Sequence, residues 1–167
     1  MSFSAPQPLA AHHRLEEFDC GKPALTDWLL HHARQAQGSG SARTFVILDA
    51  ERVAAYFSLT VGQIDTLEAP ERIRRGMGQY PIPLLILTRL AVDLDDQGQG
   101  LGFSMLQDAI RRSLAIAEQA GVRALLTHPI DASADAFYRR FGFESTPGNE
   151  RQLILLLKDA RRVVGRA

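Results

Sequence analysis

From residue 25 the positions Leu25, Trp28, Leu29, His32, Ala33 and Ala36 recur at helical spacing, and Pro23 suits a first turn. This predicts one amphipathic helix, stopped by the turn-like GSGS of residues 38–41. Two strand patterns follow, RTFVILD and RVAAYFSLTV, meeting at Ala50-Glu51 with the spacing of a hairpin. In the second, Val53, Ala55, Phe57, Leu59 and Val61 alternate with less apolar positions, which predicts one solvated or partner-facing face. Residues 63–82 are irregular apart from a short helix at PERIRR. LLILTRLAV is almost wholly apolar, as a central strand buried on both faces is. Met105, Leu106, Ala109, Ile110, Leu114 and Ala117 then line one face of a helix that starts near Gly100 and that Gly121 can end. VRALLT predicts a strand, SADAFYRRF a short helix and RQLILLLK a final strand. The predicted order is β, α, β, β, (α), β, α, β, α, β, a mixed α/β sheet in one domain over residues 1–167.

Composition narrows the function classes. The 167 residues are 46% hydrophobic and 23% charged, an ordinary globular balance. Lys+Arg and Asp+Glu are both 19, so bulk charge does not hold this protein to nucleic acid, although a local basic patch remains open. A single cysteine, Cys20, excludes an internal disulfide and a Cys-based zinc cluster, and reads as a small buried residue. The five histidines, His128 at a strand end included, lack metal-ligand spacing, so no metal is expected. No run approaches the roughly 18 apolar residues of a membrane span, and MSFSAPQPLAAHH lacks the basic start and apolar core of a signal peptide. The expectation is a soluble, cytoplasmic protein without membrane contact.

The chemistry concentrates in VDLDDQGQGLG, where an apolar strand feeds a glycine-rich turn that opens a helix. Unpaired N–H groups at a helix start, at the positive end of its dipole, bind phosphates, and glycines let the backbone approach. The spacing of Gly98, Gly100 and Gly102 is neither the dinucleotide fingerprint nor a P-loop, so the turn alone reads equally well as a flexible connection. Asp93, Asp95 and Asp96 read as a solvated loop ahead of the helix.

Gln97-Gly98-Gln99-Gly100-Leu101-Gly102 resembles the Gln/Arg-x-x-Gly-x-Gly/Ala pyrophosphate loop of the GNAT N-acetyltransferase superfamily. LLILTRLAV ahead of it, VRALLT after it, and the Tyr138-bearing AFYRRFGF resemble that superfamily's segments in the same order, over roughly residues 43–157. The resemblance implies a mixed central sheet splayed at an acetyl-CoA cleft and flanked by helices. It assigns the pyrophosphate to residues 97–102, the pantetheine to Leu90, Ala91 and Val92, and a cofactor-flanking place to Phe141. Phe18-Asp19-Cys20-Gly21, Leu25, Trp28-Leu29, Tyr56-Phe57-Ser58-Leu59, Pro81-Ile82-Pro83 and Arg89-Leu90-Ala91-Val92-Asp93 resemble, more narrowly, the acetyltransferase toxins of bacterial toxin–antitoxin modules. That implies acetylation of the α-amino group of aminoacyl-tRNA, a ribbon-helix-helix antitoxin, operator DNA met only through the antitoxin, and a homodimer. Pro129, where a small residue is expected, departs from the pattern.

Within this frame Tyr138 is the candidate acid, since expulsion of a CoA thiolate calls for a proton at sulfur. Residues 84–92 contain no Asp or Glu, hence no base on the central strand. A lysine-like amine with a pKa near 10.4 would need one, whereas an α-amine near 7.7–8.0 is already substantially neutral. Arg43, Arg72, Arg74, Arg75 and Arg89, with Arg151, Lys158, Arg161, Arg162 and Arg166 toward the end of the chain, suit a polyanion such as RNA; singly, each also reads as a solvated surface charge. The alternatives are a small-molecule or protein N-terminal acetyltransferase without toxicity, and a non-catalytic acyl-CoA-binding protein.

Overall fold

The computed structural model describes residues 2–164; Arg166 lies outside them. Seven strands are hydrogen-bonded in the order β1-β2-β3-β4-β5-β7-β6. They are β1 (Gln7–Pro8), β2 (Arg43–Asp49), β3 (Arg52–Ile64), β4 (Ile82–Val92), β5 (Ala124–Thr127), β6 (Glu144–Thr146) and β7 (Asn149–Leu156). The helices are α1 (Pro23–His31), α2 (Ala33–Ser39), α3 (Glu71–Arg74), α4 (Leu101–Ala117), α5 (Ala132–Arg140) and α6 (Leu157–Val164). The β4–β5 pair is parallel, while β1–β2, β2–β3, β5–β7 and β6–β7 are antiparallel, so the sheet is mixed.

Two compact units divide the chain: Met1–Thr60 with Thr88–Ala109, and Val61–Leu87 with Ile110–Ala167. In the first, β2 and β3 form a hairpin turned at Ala50, whose φ of 54° is left-handed. Its core gathers Leu15, Phe18, Leu29, Ala33, Val46, Val53 and Tyr56, with Trp28 and Leu25 packed against it. In the second, Ile64, Ile73, Ile82, Leu84, Ala124, Leu126, Ile154 and Leu156 form the core. There β4 and β5 pair from Leu84↔Ala124 to Leu87↔Thr127 and no further, although β4 itself runs on to Val92. The early end of this ladder matches the expected splay, and Pro129, which has no N–H to give, follows β5 closely.

Several expectations change. The predicted single helix is two, because His32 leaves helical geometry at φ −128°. Its GSGS end is partly helical, with Gly40 as a left-handed cap at φ 79°. No face of β3 is solvated between Val53 and Leu59. The polar-looking positions there are satisfied internally: Tyr56 donates to the Leu25 carbonyl at 2.6 Å, and Ser58 and Thr44 share a hydroxyl hydrogen bond at 2.8 Å. By contrast, β4 is fully buried only in part, and residues 88–90 are half-exposed. The α4 helix stops at Ala117, before Gly121. Strands β1 and β6 are too short to carry a periodic signal. The terminal helix α6 has no separate start signal in the sequence because RQLILLLK runs straight into it.

Candidate active site

The glycine-rich turn lies in the first unit. Gly98 and Gly100 have φ of 82° and 81°, which side chains rarely tolerate, and a Cβ on either would meet no neighbour within 4 Å. Residues 97–100 are exposed and Leu101, at the start of α4, is buried. The turn therefore presents backbone rather than side chains, ahead of a 17-residue helix whose N-terminal dipole favours an anion.

Two acids just ahead of it point into the protein. Asp93 and Asp96 are 4% and 0% exposed, which corrects their expected solvation. Asp93 accepts from the backbone N–H groups of Asp19 at 3.0 Å and Asp95 at 2.9 Å. Asp96 forms an ion pair with Arg52 at 3.1 Å and accepts a hydrogen bond from it at 3.4 Å, and this bond, with help from Asp49, holds the guanidinium firmly charged. Their negative charge is thus spent internally rather than turned against a phosphate. The Gln97 amide nitrogen also turns inward, donating to the carbonyls of Val92 at 3.0 Å and Cys20 at 3.4 Å. Neither the Arg52–Asp96 pair nor the Gln97–Cys20 bond was visible in sequence, since both depend on partners distant in the chain. Of the pantetheine candidates, Ala91 is buried and Leu90 and Val92 are half-buried.

The same unit holds an open pocket of about 380 Å³, lined by Trp28, His32, Gln35, Thr60, Thr88 and Arg89 among others. None of its lining residues is Asp or Glu. The Arg89 guanidinium lies 4.0 Å from the centre of the Trp28 ring, a cation–π arrangement. Burial lowers its pKa from the ordinary arginine value, and no carboxylate pairs with it among the described residues. Arg43, also in this unit, donates to the Gln37 carbonyl at 2.8 Å.

Tyr138 belongs to the second unit, on α5, whose start is capped by Asp131 accepting from the Ala134 N–H at 2.9 Å. Its ring packs at 5.3 Å from both Phe137 and Phe143, and Phe141 meets Phe137 at 5.2 Å. Only 5% of the tyrosine is exposed. Burial pushes its phenol up to about 12, partly offset by a side-chain hydrogen bond with Thr127. Thr127 in turn donates to the Leu87 carbonyl at 2.8 Å. Sequence reasoning missed Thr127; its only signal was a hydroxyl ending an apolar strand. The α3 arginines differ from the expected free cluster. Arg72 is bound in ion pairs with Glu144 at 3.6 Å and with Asp159, while Arg75 is exposed and Arg74 half-buried. His128 is exposed and lies 3.2 Å from the Gln152 side chain. Among the described residues no group of three His, Cys, Asp or Glu is placed to hold a metal ion, and no helix is long and apolar enough to cross a membrane.

Residues 40–145 match the acetyltransferase (GNAT) domain family. The chain belongs to that family. This acetyltransferase is 39% identical over 163 residues to the tRNA-acetylating toxin of Mycobacterium tuberculosis, covering 98% of each chain. Its fold is that of AtaT in complex with acetyl-methionyl-tRNAfMet, with a TM-score of 0.89 at 24% identity over 97% of this chain and 99% of that one. An AtaT mutant bound to acetyl-CoA and to the C-terminus of the antitoxin AtaR superposes with a TM-score of 0.84 at 23% identity, over 99% of both chains.

Proposed function

We propose that this acetyltransferase moves the acetyl group of acetyl-CoA to the α-amino group of aminoacyl-tRNA and so acts as a toxin that blocks translation. The observation that carries this is the near full-length match, at 39% identity, to a tRNA-acetylating toxin. The pocket lends chemical support, because an unpaired Arg89 and the lack of any carboxylate suit a polyanion and disfavour a polycationic acceptor. The whole chain serves as a single N-acetyltransferase domain.

Acetyl-CoA supplies an acetyl group activated as a thioester. The backbone N–H groups of residues 97–102 hold its pyrophosphate, β4 at Leu90, Ala91 and Val92 holds its pantetheine, and Phe141 contributes a cofactor contact. Asp93, held by two backbone N–H groups, and Asp96, paired with Arg52, do not oppose the phosphate charge. With no acid on β4, the acceptor enters as a neutral amine. Tyr138 donates its O–H to the departing sulfur, and burial keeps it a full donor throughout the neutral range. Arg89 binds an RNA phosphate, and Arg43, Arg74 and Arg75 contribute weaker phosphate contacts. Arg72, held by two carboxylates, contributes least.

The antitoxin is a ribbon-helix-helix protein, operator DNA is reached only through it, and the toxin works as a homodimer in the cytoplasm. Incubation of the purified protein with labelled acetyl-CoA and aminoacyl-tRNA tests the reaction. Label is expected in the α-amide, with a rate that falls steeply with salt. Salt-insensitive acetylation of free amino acids or polyamines, with aminoacyl-tRNA inert, refutes it in favour of a small-molecule enzyme.

A further inference from the structure

The segment Phe18-Asp19-Cys20-Gly21 has no role in the reaction as described, yet it is bonded to the strand end and turn that lead into the glycine-rich loop. The Leu94 N–H donates to the Asp19 carbonyl at 2.9 Å, and the Asp19 N–H donates to the Asp93 carboxylate at 3.0 Å. The Gln97 amide ties the Cys20 carbonyl to the Val92 carbonyl across the loop's entry. Gly21 sits at φ +85°, where any side chain is strained, and a Cβ there would stand 3.0 Å from Leu94 Cδ2, so the two segments are in close contact. The segment is itself anchored. Phe18 is 2% exposed and meets Tyr56 edge-on at 5.5 Å, and the Cys20 N–H donates to the Thr26 hydroxyl at the start of α1.

We propose that residues 19–21 are a brace for the anion-binding loop, and that Gln97 and Gly21 are positioning residues for acetyl-CoA. An exposed, glycine-rich loop has many conformations, and ordering it on binding costs affinity. A brace made in the free protein removes part of that cost. Residue 97 then matters through its inward side chain rather than through contact with the ligand. This inference rests on the reading of residues 97–102 as the pyrophosphate site.

Calorimetry with acetyl-CoA tests it on Gln97→Met, Gln97→Arg and Gly21→Ala, with Gly100→Glu as reference and a thermal melt of each variant. Loss of the two amide hydrogen bonds in Gln97→Met should weaken acetyl-CoA binding about five- to thirtyfold. In turnover, KM for acetyl-CoA should rise while kcat at saturation and KM for aminoacyl-tRNA hold. Gln97→Arg keeps donors for the same two carbonyls and should restore binding to within about threefold. Gly21→Ala changes no atom of the loop and should weaken binding in the same direction. If Gln97→Met and Gly21→Ala bind acetyl-CoA within twofold of wild type while Gly100→Glu does not, the brace is packing alone and the inference is wrong. If Gly100→Glu also binds normally, the loop reading falls, and the brace with it.

Discussion

Replacing Tyr138 with phenylalanine isolates the chemistry of one proton. The ring contacts with Phe137 and Phe143 at 5.3 Å are kept, and only the hydroxyl and its hydrogen bond to Thr127 are lost. Thr127 still donates to the Leu87 carbonyl, so no buried donor is orphaned. The stability cost is one net hydrogen bond, about 1 kcal/mol, or roughly 2–4 °C in Tm for a chain of this size. Against a total stability of about 5–15 kcal/mol the variant remains folded. The kinetic cost follows from the acidity. A phenol near 12 is a weaker acid than an ordinary thiol near 8.5, so full proton transfer to a free thiolate runs uphill. Its contribution is therefore that of a fixed O–H donor to charge growing on sulfur. Such a donor is worth about 10²–10³ in rate, or about 2.7–4 kcal/mol. We expect kcat of Tyr138→Phe to fall by that factor, with acetyl-CoA affinity within about twofold of wild type. Stopped-time acetylation of aminoacyl-tRNA at saturating acetyl-CoA, alongside calorimetry, measures both. A near wild-type kcat makes Tyr138 a packing residue; a loss of affinity to match the loss of rate makes it a binding one.

Four further outcomes are expected. Gly100→Glu should abolish acetyl-CoA binding by calorimetry, through a carboxylate facing the pyrophosphate and a strained φ of 81°, whereas Gly100→Ala, whose Cβ meets open space, should retain measurable binding. With an acceptor analogue carrying a stable amide link to the RNA, kcat/KM should rise through the α-amine range near pH 8 and then hold; Tyr138, raised to about 12, gives no descending limb at pH 9–10, and a fall there contradicts its assignment. His13 is 2% exposed, and burial first, then His12, lowers its pKa below the ordinary imidazole value of about 6.5, so it folds neutral. Its stability contribution is complete above about pH 6.5 and is lost as pH falls below that value, so Tm should drop on acidification and His13→Gln should flatten the drop. Asp96→Ala leaves Arg52 without its fully buried partner and should cost about 3–5 kcal/mol in denaturant unfolding, with Asp49, at 3.0 Å from Arg52, moderating the loss.

Local pattern was enough for the long elements. Hydrophobic periodicity placed β2, β3, β4, α4, β5 and α5 because each is long enough, or apolar enough, to repeat its own signal. The candidate loop was legible for a similar reason, since its function resides in backbone and glycine spacing. Tyr138 stood out only through the motif around it, as any buried aromatic reads as core.

Residue order alone thus determined the longer elements, the glycine turn and the lack of an acid on β4, all properties of neighbours along the chain. Only the tertiary structure decided where polar groups spend their hydrogen bonds. Asp93 and Asp96 look like solvated loop acids until Asp19 and Arg52 arrive from 74 and 44 residues away. Arg72 and Arg89 carry the same charge, but one meets two carboxylates and the other meets an indole ring and an open pocket. A side chain's charge is written in the sequence; whether that charge remains available to a ligand depends on partners that folding brings to it.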